Sequence, residues 1–369
     1  MIKDTSTASA ASTSPTRKIR WGVLGYARIA QNSLIPAMQR SSNSTFHAIA
    51  SRDAAKLAAC REKFATASSP IRAHASYDAL LADPEVDAVY IPLPNSLHRE
   101  WTIKAAQAGK HVLCEKPIAL NAAEAREMIA ACAAAKVTLM EAFMYRYTQR
   151  TRIVLEIIRG GALGEIRHIE STFRFLLANP ASTRWRPEYG GGALYDVGVY
   201  PLNFIGMVMD AATNSAPGAS PAPVSVSVQC TRDPRGIDDN LSALLRYPNG
   251  VIAAAHCGFN SGRRAHSTIA GSKGVLEIPD TFFDTPAPLA LTLATASAAG
   301  ENDARAIPVP ASDRYRSEVE DFAASLLENR APLFPLAETL RNAELLDRLM
   351  EASRERGACG AASSPRPTS

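Results

Sequence analysis

The sequence has few of the features that mark secreted, metal-binding or membrane proteins. Its 369 residues include six cysteines, and none of them forms a Cys-x-x-Cys pair or a paired framework. We therefore expect reduced, mostly packed thiols, a cytoplasmic location and no metal site. No apolar segment long enough for a signal peptide or a membrane span precedes Arg17, so we expect no membrane partner.

Charge of one sign is not in excess either. The 40 Lys and Arg residues are balanced by 36 Asp and Glu residues, and no basic stripe or block interrupts the mixture. This balance argues against nucleic acid as a partner. Residues 1–18 and 357–369 are rich in Ser, Thr, Ala and Pro, and we expect both ends to be disordered tails.

The length and the hydrophobic fraction of 46% predict two domains with sizeable cores. In residues 19–141, short apolar runs alternate with helical stretches, which is the pattern of a Rossmann-type, doubly wound parallel sheet. In residues 142–356, strand-like runs separated by turn signals predict a mainly antiparallel sheet, and helical periodicity returns near the end. The predicted fold class is therefore α/β.

The predicted strands and helices follow from these patterns. We expect strands at 19–24, 46–51, 88–92, 111–114, 137–140, 166–175, 224–231, 241–246, 251–257 and 275–278. We expect helices at 54–64, 97–108, 122–135, 316–327 and 337–352. The tetrapeptide Tyr247-Pro248-Asn249-Gly250 predicts a hairpin, because Asn-Gly tolerates the positive φ angles of a tight turn.

A strand, a tight turn and a helix start follow one another at Trp21-Gly22-Val23-Leu24-Gly25-Tyr26-Ala27-Arg28-Ile29-Ala30. The segment fits G-x-G-x-x-G with alanine at the second and third glycine positions, where a small residue lets backbone approach a pyrophosphate. We expect the turn residues Gly25, Tyr26, Ala27, Arg28 and Ile29 to contact a dinucleotide. The alternative is a strand-to-helix turn with no ligand.

The next strand ends at Ser51-Arg52-Asp53, with an arginine near the place where an acidic residue would hold a ribose hydroxyl. A guanidinium group binds phosphate as a planar fork, and the Ser51 hydroxyl can assist it. We therefore predict NADP rather than NAD as the cofactor. For Asp53 we favour a role as the N-cap of the following helix.

The predicted chemical site begins at Glu115-Lys116-Pro117, which follows the strand at 111–114. This position is at the carboxyl edge of the sheet, where a nicotinamide ring would lie. Proline restricts the backbone after Lys116, and an X-Pro bond can be cis. The alternative is a surface turn without a catalytic role.

A second segment, Gly190-Gly191-Gly192-Ala193-Leu194-Tyr195-Asp196-Val197-Gly198-Val199-Tyr200, supplies two more candidates. Asp196 and Tyr200 are four residues apart, so on a helix they project from one face. The triple glycine permits a close approach of backbone to a ligand. The alternative for Tyr200 is a packing role like that of its apolar neighbours.

In these motifs the chain resembles the Gfo/Idh/MocA family of oxidoreductases, from Arg20 to about Ala352. The segments that carry the resemblance are the Gly25 turn, Pro94-Asn95-Ser96-Leu97-His98, Glu115-Lys116-Pro117, Glu141-Ala142-Phe143-Met144-Tyr145-Arg146 and the glycine-rich segment. Tyr200 is typical of the subgroup of glucose-fructose oxidoreductase, NADP-dependent aldose 1-dehydrogenases and dimeric dihydrodiol dehydrogenases. Two departures are Ala27 for glycine and Tyr147-Thr148 where relatives often continue with Phe-His-Pro.

The resemblance implies a Rossmann domain followed by an α/β domain with a large open antiparallel sheet, often used for subunit contact. We accordingly expect a homo-oligomer, a dimer or a tetramer. It also implies that Leu93, Asn95, His98, Glu115, Arg184 and Trp185 join Lys116 on the cofactor side.

The resulting hypothesis is an NADP-dependent enzyme that oxidises an aldopyranose at C1 to a lactone. Tyr200 would accept the hydroxyl proton, Lys116 would favour the phenolate and stabilise the alkoxide, and Asp196 would hold a sugar hydroxyl. The enzymatic alternatives are an oxidoreductase that keeps NADP(H) bound and oxidises one sugar while reducing another, a ketosugar reductase and a dihydrodiol dehydrogenase. A sugar-sensing regulator is the alternative from another class.

Overall fold

The computed structural model describes residues 17–294, 302–355 and 359–360. Its first sheet has the order β3-β2-β1-β4-β5-β6, and every paired strand runs parallel to its neighbour. The strands are β1 (Ile19–Leu24), β2 (Ser44–Ala50), β3 (Arg72–His74), β4 (Ala88–Ile91), β5 (His111–Glu115) and β6 (Leu139–Ala142). This confirms the predicted doubly wound sheet, whose central strands are buried because helices cover both faces.

The helices of this part connect consecutive strands. They are α1 (Ile35–Arg40), which follows a π-helical turn (Ala30–Leu34), then α2 (Ala54–Phe64), α3 (Tyr77–Leu81), α4 (His98–Gln107) and α5 (Ala122–Ala134). Side chains cap three of their starts: Asp53 accepts hydrogen bonds from the amides of Ala55 and Lys56, Ser76 accepts one from Ala79, and Asn121 accepts one from Glu124. The predicted N-cap role of Asp53 is therefore confirmed.

The second sheet has the order β14-β13-β12-β11-β7-β10-β9-β8-β15 within the described residues. Its strands are β7 (Ile166–Leu176), β8 (Ser225–Arg232), β9 (Asp238–Arg246), β10 (Ile252–Gly258), β11 (Asn260–Gly271), β12 (Gly274–Pro279), β13 (Leu289–Ala294), β14 (Asn302–Ile307) and β15 (Cys359–Gly360). The pairs β7/β10 and β8/β15 are parallel and the others are antiparallel, so the sheet is mainly antiparallel as predicted.

Four α-helices accompany this sheet in the described part of the chain: α6 (Gln149–Arg159), α7 (Val199–Ala212), α8 (Arg314–Leu327) and α9 (Leu336–Ala352). The last two return to the first sheet. The rings of Phe322 on α8 and Trp21 on β1 have centroids 5.2 Å apart, and Ala343 of α9 belongs to the apolar core beside α5. The end of the chain therefore covers a face of the sheet that its beginning builds.

The predicted hairpin is present between β9 and β10, with Gly250 at φ +87°. Strands β3, β11, β13, β14 and β15 were not predicted. The cysteine expectation is wrong at one position, because Cys230 is disulfide-bonded, whereas Cys60, Cys114, Cys132 and Cys257 are free and buried. No helix in the described ranges is both long and apolar enough to cross a bilayer. Most of the two predicted tails lies outside the described residues.

Candidate active site

A cleft of about 650 Å³ opens at the carboxyl ends of the parallel strands. Its volume lies in the range of small-molecule and cofactor sites, and its position is where doubly wound sheets bind ligands. It brings together most of the predicted site residues, namely Gly25, Tyr26, Ala27, Arg28, Ile29, Leu93, Asn95, Glu115, Lys116, Arg184, Asp196 and Tyr200.

The turn after β1 forms one end of the cleft. Gly25 has φ +91°, and a Cβ there would lie 3.2 Å from Leu93 Cδ2, so both the backbone and the space favour glycine. The Gly25 amide donates to Ala50 O at 2.8 Å, which fixes the turn against β2. Arg28, exposed at the start of the following helix, adds a positive charge where helix amides are free. This turn fits a pyrophosphate.

The residues predicted for the cofactor's ribose phosphate lie beyond the cleft wall. Ser51 is buried and its hydroxyl accepts a hydrogen bond from the Asp53 amide at 3.1 Å. Arg52 is exposed and makes no ion pair with any other described residue. Lys56, in the first turn of α2, does line the cleft and was not predicted. Two cations, Arg52 and Lys56, are thus placed at the end of β2, where a 2'-phosphate would extend the ligand.

Lys116 is held by a network behind the cleft. It follows β5 directly, and the Lys116–Pro117 peptide bond is cis. The buried His98 ring has one nitrogen 2.8 Å from Pro117 O and the other 2.9 Å from Leu93 O. One Glu141 carboxyl oxygen accepts from the Ile118 amide at 2.9 Å. The backbone that follows Lys116 is therefore tied to buried polar groups.

Four predicted residues do not line the cleft. His98 is fully buried and contacts backbone carbonyls instead of facing the cofactor side, because its ring is enclosed between the loops after β4 and β5. Trp185 packs on Phe259 and lies under the Arg235 guanidinium at 4.6 Å. Ser51 and Arg52 flank the cleft as described above. The sequence positions of these residues predicted contact with a ligand, but packing directs the rings of His98 and Trp185 away from the cleft.

Lys116, Asp196 and Arg184 form a charged cluster on the wall. The Lys116 Nζ donates to Asp196 O at 2.7 Å and lies 3.4 Å from its Oδ1, while Arg184 Nε donates to Oδ2 at 2.6 Å. Burial by itself would raise the pKa of Asp196, but the two cations outweigh it and hold that pKa below its ordinary value. Asp196 is therefore an ionised acceptor at neutral pH.

Tyr200 lies over this cluster. Its ring centre is 4.9 Å from Lys116 Nζ, and its hydroxyl contacts the Met144 sulfur at 3.5 Å. Burial, and then the negative charge of Glu115, raise the pKa of Tyr200 well above its ordinary value. The expectation that Lys116 lowers this pKa is therefore not met, since the amine faces the ring and bonds to Asp196. Tyr200 is therefore a protonated phenol at neutral pH.

The triple glycine has a packing role in part. Gly192 has φ +125°, and a Cβ there would meet the Asp238 carboxylate. A Cβ on Gly191 would meet the carbonyl oxygens of Arg184 and Arg186, and Gly190 O accepts from Asn95 Nδ2 at 2.8 Å. These contacts join the glycine segment to the loop after β4. The triple glycine therefore permits close packing of protein segments on each other, as well as an approach of its backbone to the cleft.

Several cleft residues were missed by sequence reasoning: Lys56, Tyr77, Met144, Tyr315 and Glu318. Met144 belongs to a segment already singled out, so its place after β6 was a usable signal. Tyr315 and Glu318 come from α8, more than a hundred residues later, and no local motif marks them. In the described part of the chain, no three His, Cys, Asp or Glu side chains converge as metal ligands.

Comparisons with known proteins agree with this geometry. The model of the oxidoreductase family with an NAD-binding Rossmann fold (GFO_IDH_MocA) matches residues 19–143, and the model of the GFO/IDH/MocA C-terminal domain matches residues 151–277. The D-xylose 1-dehydrogenase (NADP(+)) 2 of Haloferax volcanii is 35% identical over 342 residues, covering 92% of this chain and 98% of the relative. The trans-1,2-dihydrobenzene-1,2-diol dehydrogenase of Mus musculus is 32% identical over 269 residues, with coverage of 72% and 76%.

Two solved structures have the same fold. KijD10, a 3-ketoreductase from Actinomadura kijaniata solved with NADP and TDP-benzene, has a TM-score of 0.80 at 27% identity, over 95% of this chain and 100% of the other. The aldose-aldose oxidoreductase of Caulobacter crescentus, complexed with glycerol, has a TM-score of 0.79 at 27% identity, with coverage of 92% and 98%.

Proposed function

Because the chain belongs to the Gfo/Idh/MocA oxidoreductase family, we propose that it is an NADP-dependent sugar oxidoreductase that oxidises an aldopyranose at C1 to a lactone. One observation carries the proposal. The amine of Lys116, from the first sheet, lies 4.9 Å from the ring centre of Tyr200, from a later segment, on the wall of one cleft. Because both residues line the same cleft, one ligand bound there would contact both of them. The NADP-dependent xylose dehydrogenase among the relatives supports both cofactor and substrate class.

The cleft residues fit the cofactor. The Gly25 turn and Arg28 would hold the pyrophosphate, and Arg52 with Lys56 would hold the 2'-phosphate. When bound, NADP would supply the hydride acceptor. The protein's own residues orient the sugar, stabilise charge on its reacting oxygen and accept or donate one proton.

Each wall residue has a role that follows from its contacts. The Lys116 ammonium has three N–H donors, and its bonds to Asp196 leave one to stabilise negative charge on the reacting oxygen. Asp196, ionised and bonded to Arg184, accepts a hydrogen bond from a neighbouring sugar hydroxyl. In oxidation the phenolate form of Tyr200 accepts the proton of the reacting hydroxyl. Because burial raises the pKa of Tyr200, the oxidation rate rises with pH through the alkaline range.

The raised pKa of Tyr200 favours a second candidate, reduction of a ketosugar. A Tyr200 phenol that stays protonated at neutral pH is a proton donor for the oxygen of a carbonyl group. KijD10, which is named a 3-ketoreductase, supports this direction. The two candidates use the same residues and differ in substrate and direction.

A spectrophotometric panel of aldoses, ketoses and inositols with NADP(H) and NAD(H) tests the proposal. Oxidation of an aldose with NADP supports the first candidate, and consumption of NADPH with a ketosugar supports the second. Purified protein that carries stoichiometric nicotinamide and converts one sugar while reducing another supports the aldose-aldose type. Binding of a sugar without turnover, in the absence of any dinucleotide binding, overturns the enzymatic proposal in favour of a sugar sensor.

The proposal includes a homo-oligomer. Leu244 and Ile252 are about half exposed, on neighbouring strands β9 and β10, and the register places them on one face of the second sheet. An open sheet face with exposed apolar side chains is suited to contact with a second copy. Sedimentation of the purified protein measures this, and a monomer at all concentrations contradicts it.

A further inference from the structure

Glu318 is a buried carboxyl group that faces the cleft without a partner. Its side chain is fully buried on α8, and it lines the inner wall of the cleft. Neither carboxyl oxygen has a hydrogen-bond partner among the described residues. Buried polar groups in folded proteins are almost always hydrogen-bonded, so a carboxyl in this state calls for a physical reason.

The neighbours of Glu318 are already engaged. Glu115, the charged group that acts most strongly on Glu318, accepts a hydrogen bond from the Tyr90 hydroxyl at 2.6 Å. Asp321 accepts one from the Tyr147 hydroxyl at 3.0 Å, and the Arg314 guanidinium donates to Phe282 O at 2.7 Å. None of these neighbours hydrogen-bonds the Glu318 carboxyl, which lies in the wall of the cleft.

The protonation state of this group follows from its surroundings. Burial, and then the negative charge of Glu115, raise the pKa of Glu318 well above its ordinary value. A raised pKa favours the protonated form, which has one O–H donor and a carbonyl acceptor. A neutral group with that pair of functions complements an amide or a hydroxyl.

We propose that Glu318 is a ligand-binding residue, whose carboxyl group hydrogen-bonds a neutral polar group of the bound ligand. That group is either the carboxamide of a nicotinamide ring or a hydroxyl of the sugar. The inference rests on the proposed function, because it needs a ligand of this class in the cleft. It accounts for a polar group at a position where an apolar side chain of similar size would fit the apo protein better.

The test uses opposite effects on stability and on binding. Glu318→Leu removes the unpartnered carboxyl, so the apo protein should unfold at the same temperature as the wild type or a higher one. The same variant should weaken binding of its ligand by about three- to tenfold, which is the range for one lost hydrogen bond. Glu318→Gln keeps a donor and an acceptor and should bind close to the wild type. Glu318→Met is the second apolar variant, should the leucine variant not fold.

Ser325→Ala is the matched control, because Ser325 is a buried polar residue on the same helix and bonds only to Phe322 O within the described chain. It should lower the unfolding temperature and leave binding unchanged.

Two binding measurements identify the ligand group. A weaker NADPH affinity, measured by fluorescence titration without sugar, assigns the carboxamide. An unchanged NADPH affinity with a raised sugar KM assigns the hydroxyl. If both constants stay at the wild-type values in the apolar variants, whatever their stability, the inference is overturned while the proposed function stands. If the wild type itself binds no dinucleotide and turns over no sugar, the proposed function fails, and this inference fails with it.

Discussion

Replacing Glu141 with glutamine should make the protein more stable at alkaline pH and change little at acidic pH. Glu141 is buried at the end of β6, and burial raises the pKa of its carboxyl group from 4.5 to about 8. The folded protein therefore binds this proton more tightly than the unfolded chain does. It follows that the carboxyl group lowers the stability of the wild type progressively as pH rises from about 4.5 to about 8.

The magnitude follows from the two pKa values. Each pH unit between them changes the free energy of unfolding by up to about 1.4 kcal/mol, so the wild type should lose roughly 3 kcal/mol relative to the variant between about pH 5 and about pH 8. Glutamine resembles the protonated acid and keeps an oxygen that can accept from the Ile118 amide. The variant should therefore keep the backbone next to Lys116 in place.

Urea unfolding of the wild type and Glu141→Gln across this pH range measures the difference. Subtracting the two curves removes the contribution of all other titrating groups. Glu62→Gln, at an exposed position on α2, is the control and should show a difference near zero at every pH. A wild-type-minus-variant difference that does not change between about pH 5 and about pH 8 would falsify the assignment of a raised pKa to Glu141.

Three further substitutions test the site. Lys116→Met should lower kcat by about a hundred- to a thousandfold, because it removes the charge that stabilises the reacting oxygen, while NADPH affinity changes little; near-normal turnover contradicts the role. Arg52→Ala should lower kcat/KM with NADP by about ten- to a hundredfold and leave the NAD value unchanged, and an equal loss with both cofactors contradicts a phosphate contact. Gly192→Ala should destabilise the protein by about 1–3 kcal/mol, because the backbone there has φ +125° and the new Cβ would meet the Asp238 carboxylate. Gly262→Ala is the control and should not destabilise the protein, since the space around Gly262 is open.

Local patterns in the sequence predicted a strand or helix correctly where the residues of that element specify it by themselves. The strand predicted at 19–24 and the helix predicted at 54–64 match β1 and α2 at both ends. The first is an apolar run interrupted only by Arg20, and the second has an aspartate N-cap. By contrast, β11 (Asn260–Gly271) begins with Asn-Ser-Gly-Arg-Arg, and its pairing with β7 and β12 supplies the hydrogen bonds that its composition does not predict.

The same distinction holds for the candidate site. Lys116, Asp196 and Tyr200 were predicted because each belongs to a short motif, and the structure brings the three side chains to one wall. The direction of the Tyr200 pKa was not predictable, since it depends on burial and on which side of the ring the Lys116 amine lies. His98 and Trp185 were misplaced for a similar reason: a motif fixes the loop that carries a ring, and the tertiary packing fixes the way the ring faces.

The return of α8 to the first sheet explains why Glu318 could not be predicted. The boundary at residue 141 separates two sequence patterns. The first sheet is nevertheless covered in part by the later half of the chain, because Phe322 of α8 packs on Trp21. That apolar contact fixes the position of the helix, and Glu318, one turn earlier on the same side, is thereby directed into the cleft. The burial of Phe322 thus offsets the free-energy cost of placing there a carboxyl group that has no hydrogen-bond partner in the described protein. A substitution that loosens this contact, such as Phe322→Ala, should therefore weaken ligand binding as well as stability, and binding measured below the unfolding temperature separates the two effects.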